Sequence, residues 1–292
     1  MTDLVEVGRY RTLAEAEQRA LVLAAVGIAC RVEPTGEEAG LMVSPMDVGR
    51  ATSELSSYES ENAPERRWLP RTGTDMRGIE AALAYAAVLL FFFAADSKGT
   101  FAVYWTGLGA AQAGLIVEGE WWRTLTALTL HDGAGHLIGN IAFGVVFSLL
   151  AAQSLGAGVA WLAIVAAGAL GNGINAVLQP PAHTAIGAST AIFGALGILS
   201  AHSQRAHATR WRSRVRRWSP VAAGIMLVAW FGMGGAGTDI GAHVAGFAVG
   251  AGLGFALARL SPHALYRPAV QSISGAAACA LVALAWALAL VR

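Results

Sequence analysis

The chain has 292 residues, 55% of them hydrophobic and 13% charged, with a formal net charge of +1. Soluble domains carry roughly 25% charged residues, so the deficit points to a membrane protein, and the near-neutral balance gives no support to nucleic-acid binding. Two cysteines, Cys30 and Cys279, lie far apart in segments of different character, which argues against a disulfide and leaves no metal-ligating spacing. Met1 to Arg19 holds acidic residues and no apolar stretch of signal-peptide type, so insertion is expected to rely on internal segments.

The first sixty residues differ from the rest. Leu4 to Arg9 alternates like a strand, and Thr12 to Ala25 has helical spacing with Thr12 as N-cap. Ile28 to Glu33 and Gly40 to Val43 read as strands, and Ser44 to Tyr58 as a second helix. The order β-α-β-β-α predicts a small α+β cytosolic domain over residues 1–60. This segment resembles small domains described as signal-transducing proteins. The resemblance covers only this segment, brings no catalytic signature and implies a folded appendage, with regulation or ligand sensing as the alternative. Residues 61–77 read as a linker, with Pro64, Pro70 and four arginines (Arg66, Arg67, Arg71, Arg77) ahead of the membrane.

From residue 78 onward the chain reads as the membrane domain. A span needs about 20 mainly apolar residues. Seven candidates follow: 79–95, 134–154, 158–178, 188–203, 220–235, 240–259 and 272–291. Arginines crowd alternate connections. Four precede the first span, and Arg205, Arg210, Arg212, Arg214, Arg216 and Arg217 lie between the fourth and fifth. The positive-inside bias then sets the N-terminus in the cytoplasm and the C-terminus outside. A bacterial cytoplasmic membrane is the expected location.

Polar groups inside spans are costly, which singles out three places. His136 and Asn140 are four residues apart, on one face of a helix, where two donors could stabilise an oxyanion. Taken alone, hydrogen bonding between helices is the commoner explanation of such a pair. Ser189 follows Gly187-Ala188 and the Pro180-Pro181 loop, so it should open a helix whose free amides favour negative charge. A simple N-cap serine is the competing reading. His243 lies one turn into a span that Asp239 can cap, and Gly246, Gly250 and Gly254 give that span a face for tight helix contact. Such contact could bring a serine to the imidazole, a base suited to activating it near pH 7. A histidine bonded to a neighbouring helix is the alternative.

Taken in order, these residues resemble the rhomboid intramembrane serine proteases from about Glu118 to Gly254. The resemblance rests on Trp122-Arg123, on His131 with His136 and Asn140, on Gly187-Ala188-Ser189-Thr190-Ala191-Ile192-Phe193-Gly194, and on Ala242-His243-Val244-Ala245-Gly246. The implied fold is an all-α polytopic bundle, a six-span core plus one C-terminal span. The resemblance implies Ser189 as nucleophile and His243 as base. His136, Asn140 and the Ser189 amide would form the oxyanion hole, with Gly187 letting substrate approach and Phe193 packing on the imidazole. Gly246 would admit the fourth span, and Arg123 would hold the first loop. It implies no metal and no cofactor. The implied substrates are single-span membrane proteins entering near the fifth span, where Trp230 and Phe231 could form a gate. Oligomeric state is left open. The alternative function is an inactive binder of membrane clients; both dyad residues are present, which favours the enzyme. A channel or transporter is disfavoured by the absence of internal repeats and of acidic residues well inside a span.

Overall fold

The computed structural model describes residues 4–36, 38–61, 76–206, 218–219, 221–222, 224–226 and 239–292. The chain divides into two compact units, Met1–Leu69 and Pro70–Arg292.

The N-terminal unit runs β1 (Val5–Tyr10), α1 (Leu13–Ala25), β2 (Cys30–Thr35), β3 (Glu38–Val43) and α2 (Val48–Glu61). The sheet is antiparallel in the order β1-β3-β2. Thr12 caps α1 as expected, its hydroxyl accepting from the Glu15 amide at 3.2 Å. A short 3-10 turn, Pro45–Asp47, precedes α2, so that helix starts later than its Ser44 suggests. Leu23, Ile28, Leu41, Val43, Ala51 and Leu55 form the core of this unit.

The second unit is helical. Its elements are α3 (Met76–Ser97), α4 (Trp105–Gly109), β4 (Ala111–Gln112), α5 (Ala113–Val117), α6 (Arg123–Thr126), α7 (Ala134–Leu155) and α8 (Ala157–Leu178). They continue with β5 (Thr184–Ala185), α9 (Ser189–Ala206), α10 (Ile240–Leu257), α11 (Pro262–Leu265) and α12 (Pro268–Val291). Five of these, α3, α7, α8, α10 and α12, are long and apolar enough to cross a bilayer, so the chain is an integral membrane protein.

The seven expected spans therefore reduce to five among the described residues. Segment 188–203 does form a helix, α9, but Ser200, His202, Ser203 and Gln204 occupy its last turns and dilute its apolar character. Segment 220–235 lies largely outside the described residues, as do Trp230 and Phe231. Helix α3 begins at Met76, inside the stretch read as linker, and residues 62–75 are also outside the description.

Two packing features position the site. The first is the glycine face of α10. A Cβ on Gly246, Gly250 or Gly254 would strike the carbonyl oxygens of Thr190, Gly194 and Ile198, successive turns of α9. Gly171 of α8 is closed by Gly246 in the same way. Backbones this near gain dispersion along their whole length, which small residues alone permit.

The second feature is the seating of α12. Its Trp286 stacks on Phe92 of α3 at 4.5 Å, meets Trp105 edge-on at 5.3 Å and donates its indole N–H to Thr129 Oγ1 at 3.1 Å. At the other end, Gln271 Oε1 accepts from the Gly158 amide at 2.8 Å, and its Nε2 donates to the Leu155 carbonyl at 2.9 Å. These bonds satisfy groups that the α7–α8 turn leaves without intrahelical partners.

Candidate active site

A cavity of about 650 Å³ opens between α7, α9 and α10. Its lining includes His136, Asn140, Gly187, Ser189, Phe193 and His243. Of the sequence-predicted residues, these six come together there. Gly246 sits behind them at the α9–α10 contact.

Ser189 is the first residue of α9, as the preceding prolines suggested. The connection that delivers it is pinned to the segment before α7. Ala113 N donates to the His183 carbonyl and Gly114 N to the Pro181 carbonyl, both at 2.9 Å; β4 pairs with β5, and Gly187 N donates to the Ala127 carbonyl at 2.9 Å. Gly187 has φ +127°, a conformation that side chains rarely adopt. His243 lies one turn into α10, whose N-cap Asp239 accepts from the Ala242 amide at 3.0 Å. The tight α9–α10 packing then sets His243 Nε2 2.8 Å from Ser189 Oγ. Phe193, one turn beyond Ser189, packs its ring 4.4 Å from the imidazole at a tilt of 38°.

On the facing helix, His136 Nδ1 bonds Asp132 Oδ1 at 2.7 Å. Its Nε2 is turned toward Gly187, where an added Cβ would lie 2.7 Å away. Asn140 is buried, and its side-chain Nδ2 has no partner among the described residues. An unpaired buried donor costs about 1–3 kcal/mol, so this amide is held ready at a cost. The Asn140 carbonyl accepts from Tyr85 of α3 at 2.8 Å, and Gly144 makes room for that ring. Beside His136, at 5.0 Å between ring centres, the His131 ring is buried with both nitrogens unpartnered among the described residues. Burial, with the neighbouring His136, pushes His131 down to about 4 against smaller opposing effects of Thr129 and Asp132, so it stays neutral near pH 7.

Arg123 does not line the cavity. Buried in the segment before α7, it pairs with Glu120 and donates to the carbonyls of Gly107 at 3.1 Å and Ala110 at 3.0 Å. It ties that segment together.

Sequence reasoning missed a second cluster in the wall of the cavity. Asp239 Oδ2 accepts from Asn175 Nδ2 at 2.6 Å and lies 2.7 Å from His183 Nε2. One carboxylate thus joins the end of α8, the connection leading to Ser189 and the start of α10. Burial raises the Asp239 carboxyl, but the Ala242 amide, His183 and Asn175 together outweigh it and hold the group below its ordinary value. Asp132 was also missed, although its place four residues before His136 marks it as a helical neighbour.

Residues 118–260, the stretch that holds every one of the six cavity residues, match the family model for the rhomboid domain. The chain carries a rhomboid domain. Among relatives, "Rhomboid protease GluP" of Bacillus subtilis (strain 168) is 32% identical over 163 residues, 51% of this chain and 32% of that protein. YdcA of the same organism, also carrying a rhomboid-protease name, is 33% identical over 116 residues, 40% of this chain and 57% of that protein. "Rhomboid-like protease 3" of Toxoplasma gondii is 29% identical over 146 residues, 50% of this chain and 55% of that protein. The chain spans between a third and three-fifths of the length of these relatives. The rhomboid domain match begins in the segment before α7, after the N-terminal unit and α3.

Proposed function

We propose that the chain is an intramembrane serine endopeptidase that cuts the spanning segments of other membrane proteins through a Ser189–His243 dyad. The observation that carries this reading is the 2.8 Å contact between His243 Nε2 and Ser189 Oγ inside a cavity of the rhomboid domain. The neutral imidazole takes the hydroxyl proton as Oγ attacks the scissile carbonyl carbon. The resulting oxyanion is met by the Ser189 amide, free at the first turn of α9, and by the side chains of Asn140 and His136. His243 then passes the proton to the leaving amine as the C–N bond breaks, leaving an acyl-enzyme. Water, deprotonated by the same base, releases the acid and restores Ser189. Gly187 lets a substrate backbone approach, Phe193 fixes the imidazole plane, and Gly246 holds α10 close enough for the dyad to form. No metal or cofactor takes part.

The substrates are single-span membrane proteins. The arginine distribution supports an orientation with the N-terminal unit in the cytoplasm and the C-terminus outside. The membrane in this reading is a bacterial cytoplasmic one. The test uses protein purified in detergent with a fluorophosphonate probe and a generic single-span substrate. Wild type should label and cleave, whereas folded Ser189→Ala and His243→Ala should do neither. Cleavage by Ser189→Ala would overturn the nucleophile assignment. Folded wild type that neither labels nor cuts would make the chain a noncatalytic binder of membrane clients.

A further inference from the structure

Asp132 stands one turn before His136, and its Oδ1 lies 2.7 Å from His136 Nδ1. An ionised carboxylate only accepts hydrogen bonds, so the proton in this bond belongs to Nδ1. In a neutral ring the other nitrogen, Nε2, then carries a lone pair and no proton. Yet Nε2 is the nitrogen turned toward Gly187 and the connection that delivers Ser189. A bare Nε2 repels a developing oxyanion; a protonated one donates to it with the added strength of a charged donor.

We infer that His136 serves the oxyanion as an imidazolium, with Asp132 as the positioning residue that fixes the Nδ1 proton and balances the ring's charge. This rests on the serine-protease reading above. Catalysis then needs two imidazoles in opposite states, His243 neutral and His136 charged, which confines activity to a window of pH. The other titratable groups around the ring do not replace Asp132. His131, packed edge-to-face at 5.0 Å, is kept neutral by burial. His183, Asp239 and His243 line the same cavity, and Asp239 is engaged by His183 and Asn175.

The experiment compares pH profiles of kcat/KM for wild type, Asp132→Asn and Asp132→Ala in detergent, with fluorophosphonate labelling in parallel. The Asp132 side chain is 71% exposed, so neither replacement disturbs a core. In wild type, activity should fall about tenfold per pH unit on the alkaline side, as the imidazolium is lost. In Asp132→Asn the amide can donate to Nδ1, so the neutral ring keeps its proton on Nε2; Asp132→Ala leaves the tautomer unconstrained. Both should flatten the alkaline limb, and the ratio of variant to wild-type activity should climb with pH. An independent readout is the ring 15N spectrum of His136 at alkaline pH. It should report a proton on Nδ1 in wild type and on Nε2 in Asp132→Asn. Identical alkaline limbs in all three proteins, or an Nε2 proton in alkaline wild type, overturns the inference while labelling keeps the dyad intact. Absence of labelling at every pH overturns the dyad and this inference with it.

Discussion

At the scale of single residues, the site depends on one backbone conformation as much as on its polar groups. Gly187 holds φ +127° directly beneath the His136 ring. Gly187→Ala should therefore strain the backbone and push His136 aside together, moving a donor and the Ser189 amide relative to each other. Displacement of about 1 Å can cost roughly 10²-fold in rate. We expect a loss of that order in kcat/KM together with a lowered thermal transition from the strained backbone, read by cleavage assays and thermal unfolding of the same preparations. A variant as active as wild type would show that the carbon has room. The residues of this cavity were legible in the sequence because the chemistry restricts their type: a serine after a glycine at a helix start, a histidine one turn into a capped span. Asp132 was less legible, since a lone acidic residue near a helix start is also an ordinary way to favour the helix dipole.

At the scale of elements, the join between α9 and α10 has two fastenings. One is the glycine face of α10, whose four-residue repeat could be read directly from the sequence. The other is the Asp239 carboxylate. Its role as cap was readable from its place before a span, but its bonds to Asn175 and His183 cross 64 and 56 residues of chain and leave no local pattern. Asp239→Ala removes the cap of α10, worth about 1 kcal/mol. It also strands the buried Asn175 amide, so the loss of stability should exceed that of a cap alone. Because α10 carries His243, labelling by the probe should slow as well. Asp239→Asn should retain the cap and much of the labelling. Acid should act in the same direction. The folded Asp239 carboxyl lies below its ordinary value of 3.8, so the folded state binds fewer protons than the unfolded one as pH falls through that range. The clamp's stabilisation is complete above 3.8 and is lost as pH drops through the lowered folded value. His131 adds to the effect earlier: held down to about 4 from 6.5 by burial, it resists a proton that the unfolded chain accepts. Thermal midpoints should thus decline from about pH 6.5 downward. A midpoint that rises on acidification in this interval would contradict both assignments.

At the scale of the whole molecule, the C-terminal helix is part of the framework that holds the site. The family resemblance made it look like an addition to a six-span core, and the sequence of an apolar helix gives no sign of which neighbours it will meet. Trp286 decides the matter by filling the space between Phe92 and Trp105 and bonding Thr129, two residues from His131. Trp286→Ala should cost about 3–5 kcal/mol, the range for deleting a large buried aromatic side chain. The effect should appear as a lower thermal midpoint and as faster proteolysis of the segment between α3 and α7. Unchanged proteolysis would mean that this segment stands without α12.

Gln271 gives the same helix a consequence in time. The turn between α7 and α8 satisfies several of its end groups through a side chain that lies more than a hundred residues further along. Chains are made from the N-terminus at about 5–20 residues per second. His136, Asn140 and Ser189 are therefore all synthesised several seconds before the side chain that braces the α7–α8 turn. For most of that interval His243 is not yet made either, so the Ser189–His243 contact and the brace from α12 both come late in synthesis. The order of synthesis thus leaves the cavity unfinished until translation of the chain has passed α10 and entered α12.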